Sequence, residues 1–219
     1  MSGDYRPYIV RQGDHLARLA YVHGFEAEEV WNHERNAELR EMGRTPELLA
    51  PGDILYLPVK PKEGLSFSAF TSNRYQARVP RIKVSMVFKD AERILANEPY
   101  EIHGLGTDGS SGAPESRNTD AEGKVELELP VTTREVTIVF PGPNVAYEVR
   151  VGDMDPVAEL SGIQKRLENL GFLPRERESV AEGEYVQAAI AAFQKRNGLS
   201  PTGTLDDATN KLLKDKHGL

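Results

Sequence analysis

Two glycine-aspartate turns, Gly13-Asp14 and Gly52-Asp53, bracket a helical stretch and limit what the first quarter of this chain can become. The first closes the run Tyr8-Ile9-Val10-Arg11-Gln12-Gly13-Asp14-His15-Leu16, and the second sits inside Leu48-Leu49-Ala50-Pro51-Gly52-Asp53-Ile54-Leu55-Tyr56-Leu57-Pro58. Tyr8-Ile9-Val10 is aromatic and β-branched, which suits a strand. Gly13 can take the left-handed conformation, and Asp14 stands where it can cap a helix beginning with Leu16, Leu19 and Ala20. With Val22–His23 these residues form one buried stripe, ended by Gly24. Glu26 to Trp31 restarts the helix, with Val30 and Trp31 as apolar contacts and Trp31 read as a core anchor. The predicted order is βααβ over residues 1–58.

The V-x-x-G-D-x-L and L-x-P-G-D-x-L-x-L-P signatures, in that order around two helices, resemble a LysM module, a small carbohydrate-binding domain of bacterial cell-wall proteins. The resemblance implies a groove for N-acetylglucosamine between the loop after the first strand and the loop before the second. Gly13, Asp14 and His15 would form one wall, and Leu48, Leu49, Ala50, Pro51 and Gly52 the other. Backbone amides would bind acetamido groups while Leu49 and Pro51 pack on sugar faces. His15 stands where Thr or Ser is commoner in such modules. The stretch 33–50 is longer than a minimal LysM loop, and whether it closes the groove is a question for the structure.

Residues 59–66, Val-Lys-Pro-Lys-Glu-Gly-Leu-Ser, read as a linker. From 67 to 152 the chain offers short strands: Arg81–Phe88, Tyr100–His103, Lys124–Leu129, Val136–Phe140 and Ala146–Arg150. Ile82, Val84, Met86 and Phe88 alternate with Lys83, Ser85 and Val87, a period of two that predicts half-buried antiparallel strands and a small β-sandwich. Gly104-Leu105-Gly106-Thr107-Asp108-Gly109 matches the letters of a dinucleotide motif, but Ser110-Ser111-Gly112-Ala113-Pro114 cannot start the helix that motif needs, so a flexible hairpin loop is expected. Asn118 to Lys124 reads as a turn. Its Thr-Asp-x-x-Gly before a strand resembles transthyretin-like or carboxypeptidase-regulatory sandwiches, which implies a spacer or docking surface.

The segment 153–219 turns helical. Pro156 fits a first helical turn. Val157, Leu160, Ile163, Gln164, Leu167 and Leu170 share one face up to Gly171, and Tyr185, Ala188, Ala189, Ala192 and Phe193 make a second stripe ended by Asn197-Gly198. Asp206 or its neighbour caps a third helix carrying Ala208, Leu212 and Leu213. Ile163-Gln164-x-x-Leu167-x-x-Leu170-Gly171-Phe172, Ala189-x-x-Ala192-Phe193-Gln194-x-x-Asn197-Gly198-Leu199 and Thr202-Gly203-x-Leu205-Asp206-x-x-Thr209 resemble the peptidoglycan-binding three-helix domain attached to wall amidases and muramidases. The resemblance implies a second glycan site, with Gln164, Tyr185, Gln194 and Thr209 at its rim unless they cap or pack the helices. The loop before the second helix departs from that family's pattern: it is Glu182-Gly183-Glu184-Tyr185 after the charged run Arg175-Glu176-Arg177-Glu178, an altered and more acidic rim.

Charge narrows the partners. Residues 1–58 carry six basic and ten acidic side chains, 59–156 twelve and fifteen, and 157–219 nine and nine. No segment has the positive field that nucleic acid requires. With no cysteine there is no thiol nucleophile, disulfide or thiolate metal site. His33-Glu34 would begin a zinc-protease motif only if a second histidine stood at 37, which is Ala37. The histidines at 15 and 23 are expected to face solvent. There is no G-x-S-x-G and no S-x-x-K, and no cofactor is implied. The N-terminal residues lack an apolar segment, and no run is long enough to span a bilayer. The expectation is a multidomain α+β, non-enzymatic peptidoglycan binder, made in the cytoplasm without a signal peptide and delivered outward by a specialised secretion system. The rival is a spike, adaptor or cargo-associated part of a contractile injection system such as type VI secretion, acting through a protein partner.

Overall fold

The computed structural model describes residues 4–59, 68–74, 78–90, 93–105, 114–174 and 182–218. Most of the expected linker, most of the glycine-rich loop and the Arg175–Glu178 run lie outside the described residues. The chain is mixed helix and antiparallel sheet, and its contacts divide it into two units, Met1–Asp153 and Met154–Leu219.

The first unit holds two separate hydrophobic clusters. Around one of them, β1 (Tyr5–Ile9) pairs antiparallel with β2 (Ile54–Pro58), Tyr5 opposite Pro58 and Ile9 opposite Ile54. Between them run α1 (Leu16–His23), α2 (Ala27–Asn32), a 3-10 turn at Glu34–Asn36 and α3 (Ala37–Glu41). Leu16, Leu19, Val30, Leu39, Leu55 and Leu57 fill the shared interior. Each contributes roughly 1.5–3 kcal/mol by leaving water. The third helix uses the stretch that exceeds a minimal loop, and its apolar residue Leu39 is what the interior gains. Buried Asn36 ties this stretch to β2: its Nδ2 donates to the carbonyls of Val30 (2.8 Å) and Tyr56 (3.1 Å), and its Oδ1 accepts from the Tyr56 amide at 2.8 Å.

Three local expectations are corrected here. The cap of α1 is His15, whose Nδ1 accepts from the Arg18 amide, and not Asp14. The Asp14 carboxylate is already taken by the Tyr8 hydroxyl (2.7 Å) and the Arg11 amide (3.0 Å), so it closes the turn instead of the helix. His15 is also buried, and His23 is half-buried between the rings of Tyr8 and Phe25, so neither faces solvent in the way expected.

The second cluster lies between two sheets. One pairs β3 (Arg81–Val87) with β8 (Lys124–Pro130). The other has β6 (Pro99–His103) between β7 (Glu115–Asn118) and β9 (Glu135–Phe140), with β10 (Val145–Arg150) beyond β9. Inward-facing Val125, Leu127, Leu129, Ile102, Ile138 and Phe140 alternate with exposed or half-exposed neighbours, as a period of two dictates. A two-residue hairpin, β4 (Lys89–Asp90) with β5 (Arg93–Ile94), was not apparent in the sequence, nor was β7, whose residues Glu115–Asn118 are all exposed and carry no hydrophobic alternation. In the turn before β8 the Asp120 carboxylate accepts from the amides of Glu122 and Lys124.

In the second unit, α4 (Leu160–Asn169), α5 (Glu182–Arg196) and α6 (Asp207–His217) surround Ile163, Leu167, Val186, Ile190, Phe193 and Leu213. Pro156 does not start α4. It lies four residues upstream and its carbonyl faces Gly162, where a β-carbon would come within 2.0 Å of it. Arg166, buried on α4, bonds through Nη1 to the carbonyls of Asp155 (2.7 Å) and Gly162 (2.8 Å), which holds the approach segment against the helix. Leu160 and Tyr185 are exposed, so the buried stripe of α5 is Val186, Ala189, Ile190 and Phe193, one position on from the stripe that Tyr185 and Ala188 suggested. Asp206 caps α6, accepting from the Thr209 amide at 2.7 Å. No helix among the described residues is long and apolar enough to cross a membrane.

Candidate glycan-binding sites

The loops 11–15 and 44–53 lie side by side. Val10 donates to the Asp53 carbonyl at 2.9 Å, the Gly52 amide donates to the Val10 carbonyl at 2.9 Å, and the Leu16 amide donates to Pro46 at 2.8 Å. The second loop is shaped by a buried ion pair. Arg44 Nε and Nη2 reach the two oxygens of Asp53 at 3.0 and 3.2 Å, and that carboxylate also accepts from the Ala50 amide at 2.8 Å. A fork of two parallel bonds in a dry site fixes direction as well as distance. Arg44 gave no signal in the sequence. Only the need of a buried aspartate for a partner could have pointed to it.

Of the residues assigned to the groove, Gly13 and Gly52 have positive φ, 82° and 96°, as sharp turns require. Pro51 and Gly52 are exposed, Gly13 and Leu48 are half-buried, and Asp14, His15, Leu49 and Ala50 are buried. Leu49 belongs to the interior cluster, so its side chain is spent on the core instead of on a sugar face. At the tips of the two turns the exposed residues are Gln12, Pro51 and Gly52, with Arg11, Thr45 and Glu47 exposed further along the loops.

The first of these turns also touches the sheets of its own unit. A β-carbon at Gly152 would lie 2.9 Å from the Gly13 carbonyl oxygen and 3.2 Å from the His15 ring. Gln12 Nε2 donates to the Asp153 carbonyl at 3.1 Å and Arg18 Nη1 to the Thr132 carbonyl at 3.2 Å. Beside this contact is a depression of about 300 Å³ lined by Gln12, Gly13, Arg134, Glu135, Arg150, Val151 and Asp153. A shallower hollow of about 520 Å³ lies along β1, lined by Arg6, Pro7, Tyr8, Ile9, Arg11 and His23. His15 Nε2 has no hydrogen-bond partner among the described residues. Burial, with Arg18 nearby, pushes the imidazole below its ordinary range, against the opposing pull of Asp14 and Glu47.

In the second unit the four assigned rim residues separate into two kinds. Gln194 is buried: its Nε2 donates to Thr202 Oγ1 (3.1 Å), the Thr204 carbonyl (2.9 Å) and Thr209 Oγ1 (3.0 Å), and its Oε1 accepts from the Gly203 amide at 3.0 Å. Thr209 is buried beside it. These two side chains shape the 202–209 loop from within. Tyr185 is exposed on α5 and Gln164 is half-buried on α4. At the other end of α6, His217 Nε2 meets Asn169 Nδ2 at 3.1 Å, and burial with Arg166 nearby lowers its pKa to about 4. Among the described residues no group of three or more His, Asp or Glu side chains is placed to hold a metal ion.

The second unit is thus three helices on one core, with an interior glutamine ordering the loop before the last. Residues 157–213 match the family described as "Putative peptidoglycan binding domain". The match lies within the second unit and covers about a quarter of the chain. No curated protein and no solved structure gives a significant match to the chain.

Proposed function

We propose that this protein is a non-catalytic peptidoglycan binder that holds amino-sugar chains at two places and so anchors or targets itself to bacterial cell wall. The observation that carries the reading is the family match over residues 157–213. It is supported at the other end by the paired Gly13 and Gly52 turns, which resemble the two walls of a LysM groove and offer backbone polar groups beside exposed Pro51. Sugars recognised by backbone amides and apolar faces need no concentrated charge, in keeping with nine basic and nine acidic residues in 157–219. In the C-terminal domain exposed Tyr185 is the side chain with both a flat face and a hydroxyl to offer a sugar.

A pull-down on insoluble peptidoglycan tests this. The wild-type chain is retained, and changing Gly13 and Gly52 together to Val lowers retention, because both positions hold positive φ. Absence of wild-type retention defeats the proposal. A second reading, a structural part of a contractile injection system, draws support from the packing of the Gly13 turn on Gly152, which leaves less of that turn for a glycan. On that reading the chain co-purifies with a spike or other secretion-machine protein and is not retained by wall.

A further inference from the structure

Beside the Gly13 turn, the depression of about 300 Å³ brings together residues that the sequence keeps far apart. One side is the turn itself, Gln12 and Gly13, and the other is formed by Arg134 and Glu135 and by Arg150, Val151 and Asp153. The face of Gly13 that a side chain would cover is open except for Arg134, whose guanidinium nitrogen stands 3.9 Å from where a β-carbon would be. A ligand laid along the Gly13 backbone would meet that guanidinium first.

The two arginines of the depression are not equivalent. Arg150 is engaged by Glu148 at 3.1 Å and Glu135 at 3.8 Å, so its charge is met locally. Glu135 belongs to the same cluster, its pKa raised by its closeness to Glu148. Arg134 is exposed, and no hydrogen bond or ion pair engages its guanidinium among the described residues. It is thus a planar cation with unused donors, beside a backbone turn of the kind that binds acetamido groups.

We propose that this depression is an anion-reading arm of the N-terminal glycan site, in which Arg134 pairs with a carboxylate carried by the amino-sugar ligand. The inference rests on the reading of the Gly13 turn as a glycan-binding turn and adds the ligand's class: acidic wall glycan in preference to neutral polymers of N-acetylglucosamine. The carboxylate can come from the lactyl group of N-acetylmuramic acid or from a peptide attached to it. A guanidinium accepts either as a two-bond fork.

The test is a titration of the full chain followed at the Gly13 amide resonance, which reports this site and not the C-terminal domain. The probes are the disaccharide of N-acetylglucosamine and N-acetylmuramic acid, its methyl ester, and the same disaccharide bearing a dipeptide. The wild type binds the free acid, the dipeptide form or both about threefold to fivefold more tightly than the neutral ester, the range expected of a partly exposed charge pair, and added salt narrows the gap. The free acid in front places the carboxylate on the sugar, and the dipeptide form alone in front places it on the peptide. Arg134→Gln removes the preference, so that free acid, dipeptide form and ester bind alike. Equal binding of all three probes, or a preference that survives Arg134→Gln, overturns the anion arm but leaves the glycan turn standing. No shift of the Gly13 amide with any probe overturns both.

Discussion

The two candidate sites are stiffened by opposite means. In the N-terminal unit, loop 44–53 is shaped by a buried pair of full charges, Arg44 and Asp53. In the C-terminal unit, loop 202–209 is shaped by one neutral amide, Gln194, that meets a backbone amide, a carbonyl and two hydroxyls. A charge pair out of water gives direction but is intolerant of losing one member, whereas an uncharged side chain that satisfies several neighbours spreads the same task. The difference teaches that turns of similar length need not share an energetic basis, and it yields effects of graded size.

The largest is expected for Arg44→Ala. It leaves the Asp53 carboxylate buried without its cation and should cost about 3–5 kcal/mol of first-unit stability in denaturant unfolding. Changing both partners, Arg44→Met with Asp53→Leu, should cost less than Arg44→Ala alone. If it costs more, the pair is worth more than its desolvation. Next comes Gln194→Ala, which strands the Gly203 amide and the Thr204 carbonyl and should cost about 2–3 kcal/mol, read from the second unit's melting. A loss there equal to that of Arg44→Ala would erase the contrast.

A smaller effect comes from pH. The His217 imidazole has its pKa lowered from its usual value near 6.5 to about 4, by burial and then by Arg166. The folded state therefore favours the neutral ring. That stability is present above about pH 6.5 and is lost as pH falls toward about 4. With the ring partly exposed and screened, the loss should be about 1–2 kcal/mol, and His217→Gln should flatten this part of the stability-pH curve. An unchanged curve would show that the ring is not held neutral. Smallest of all is Tyr185→Ala, expected within about 0.5 kcal/mol of wild type in stability because the ring is exposed. Its effect should appear in wall retention instead.

How much of this was legible in the sequence depends on what each element uses. The five short strands from Arg81–Val87 to Val145–Arg150 were readable within about a residue at each end, with period-two alternation the mark of the first. Strand Glu115–Asn118 was not, since an edge held by backbone pairing to Pro99–Ile102 leaves no hydrophobic mark. Both glycine turns were readable because positive φ narrows the choice of residue. The cap at His15 was not, because it depends on Asp14 being claimed by Tyr8, a contact that spacing does not reveal. The offset stripe on α5 has a similar cause: Tyr185 looks apolar in a pattern, but the neighbouring Val186 is the one that faces the core. Of the site itself, the turns could be read, while the burial of Leu49 and Gln194 and the arrival of Arg134 beside Gly13 required the fold.

The central claim, two independent holds on wall, is tested most directly by the binding isotherm of the full chain on purified peptidoglycan, compared among wild type, Gly52→Val, Tyr185→Ala and the double change. Each single change should leave a weaker but measurable isotherm, and the double change should reduce binding to background. Wild-type binding at background, or a double change that binds as well as wild type, would contradict the account.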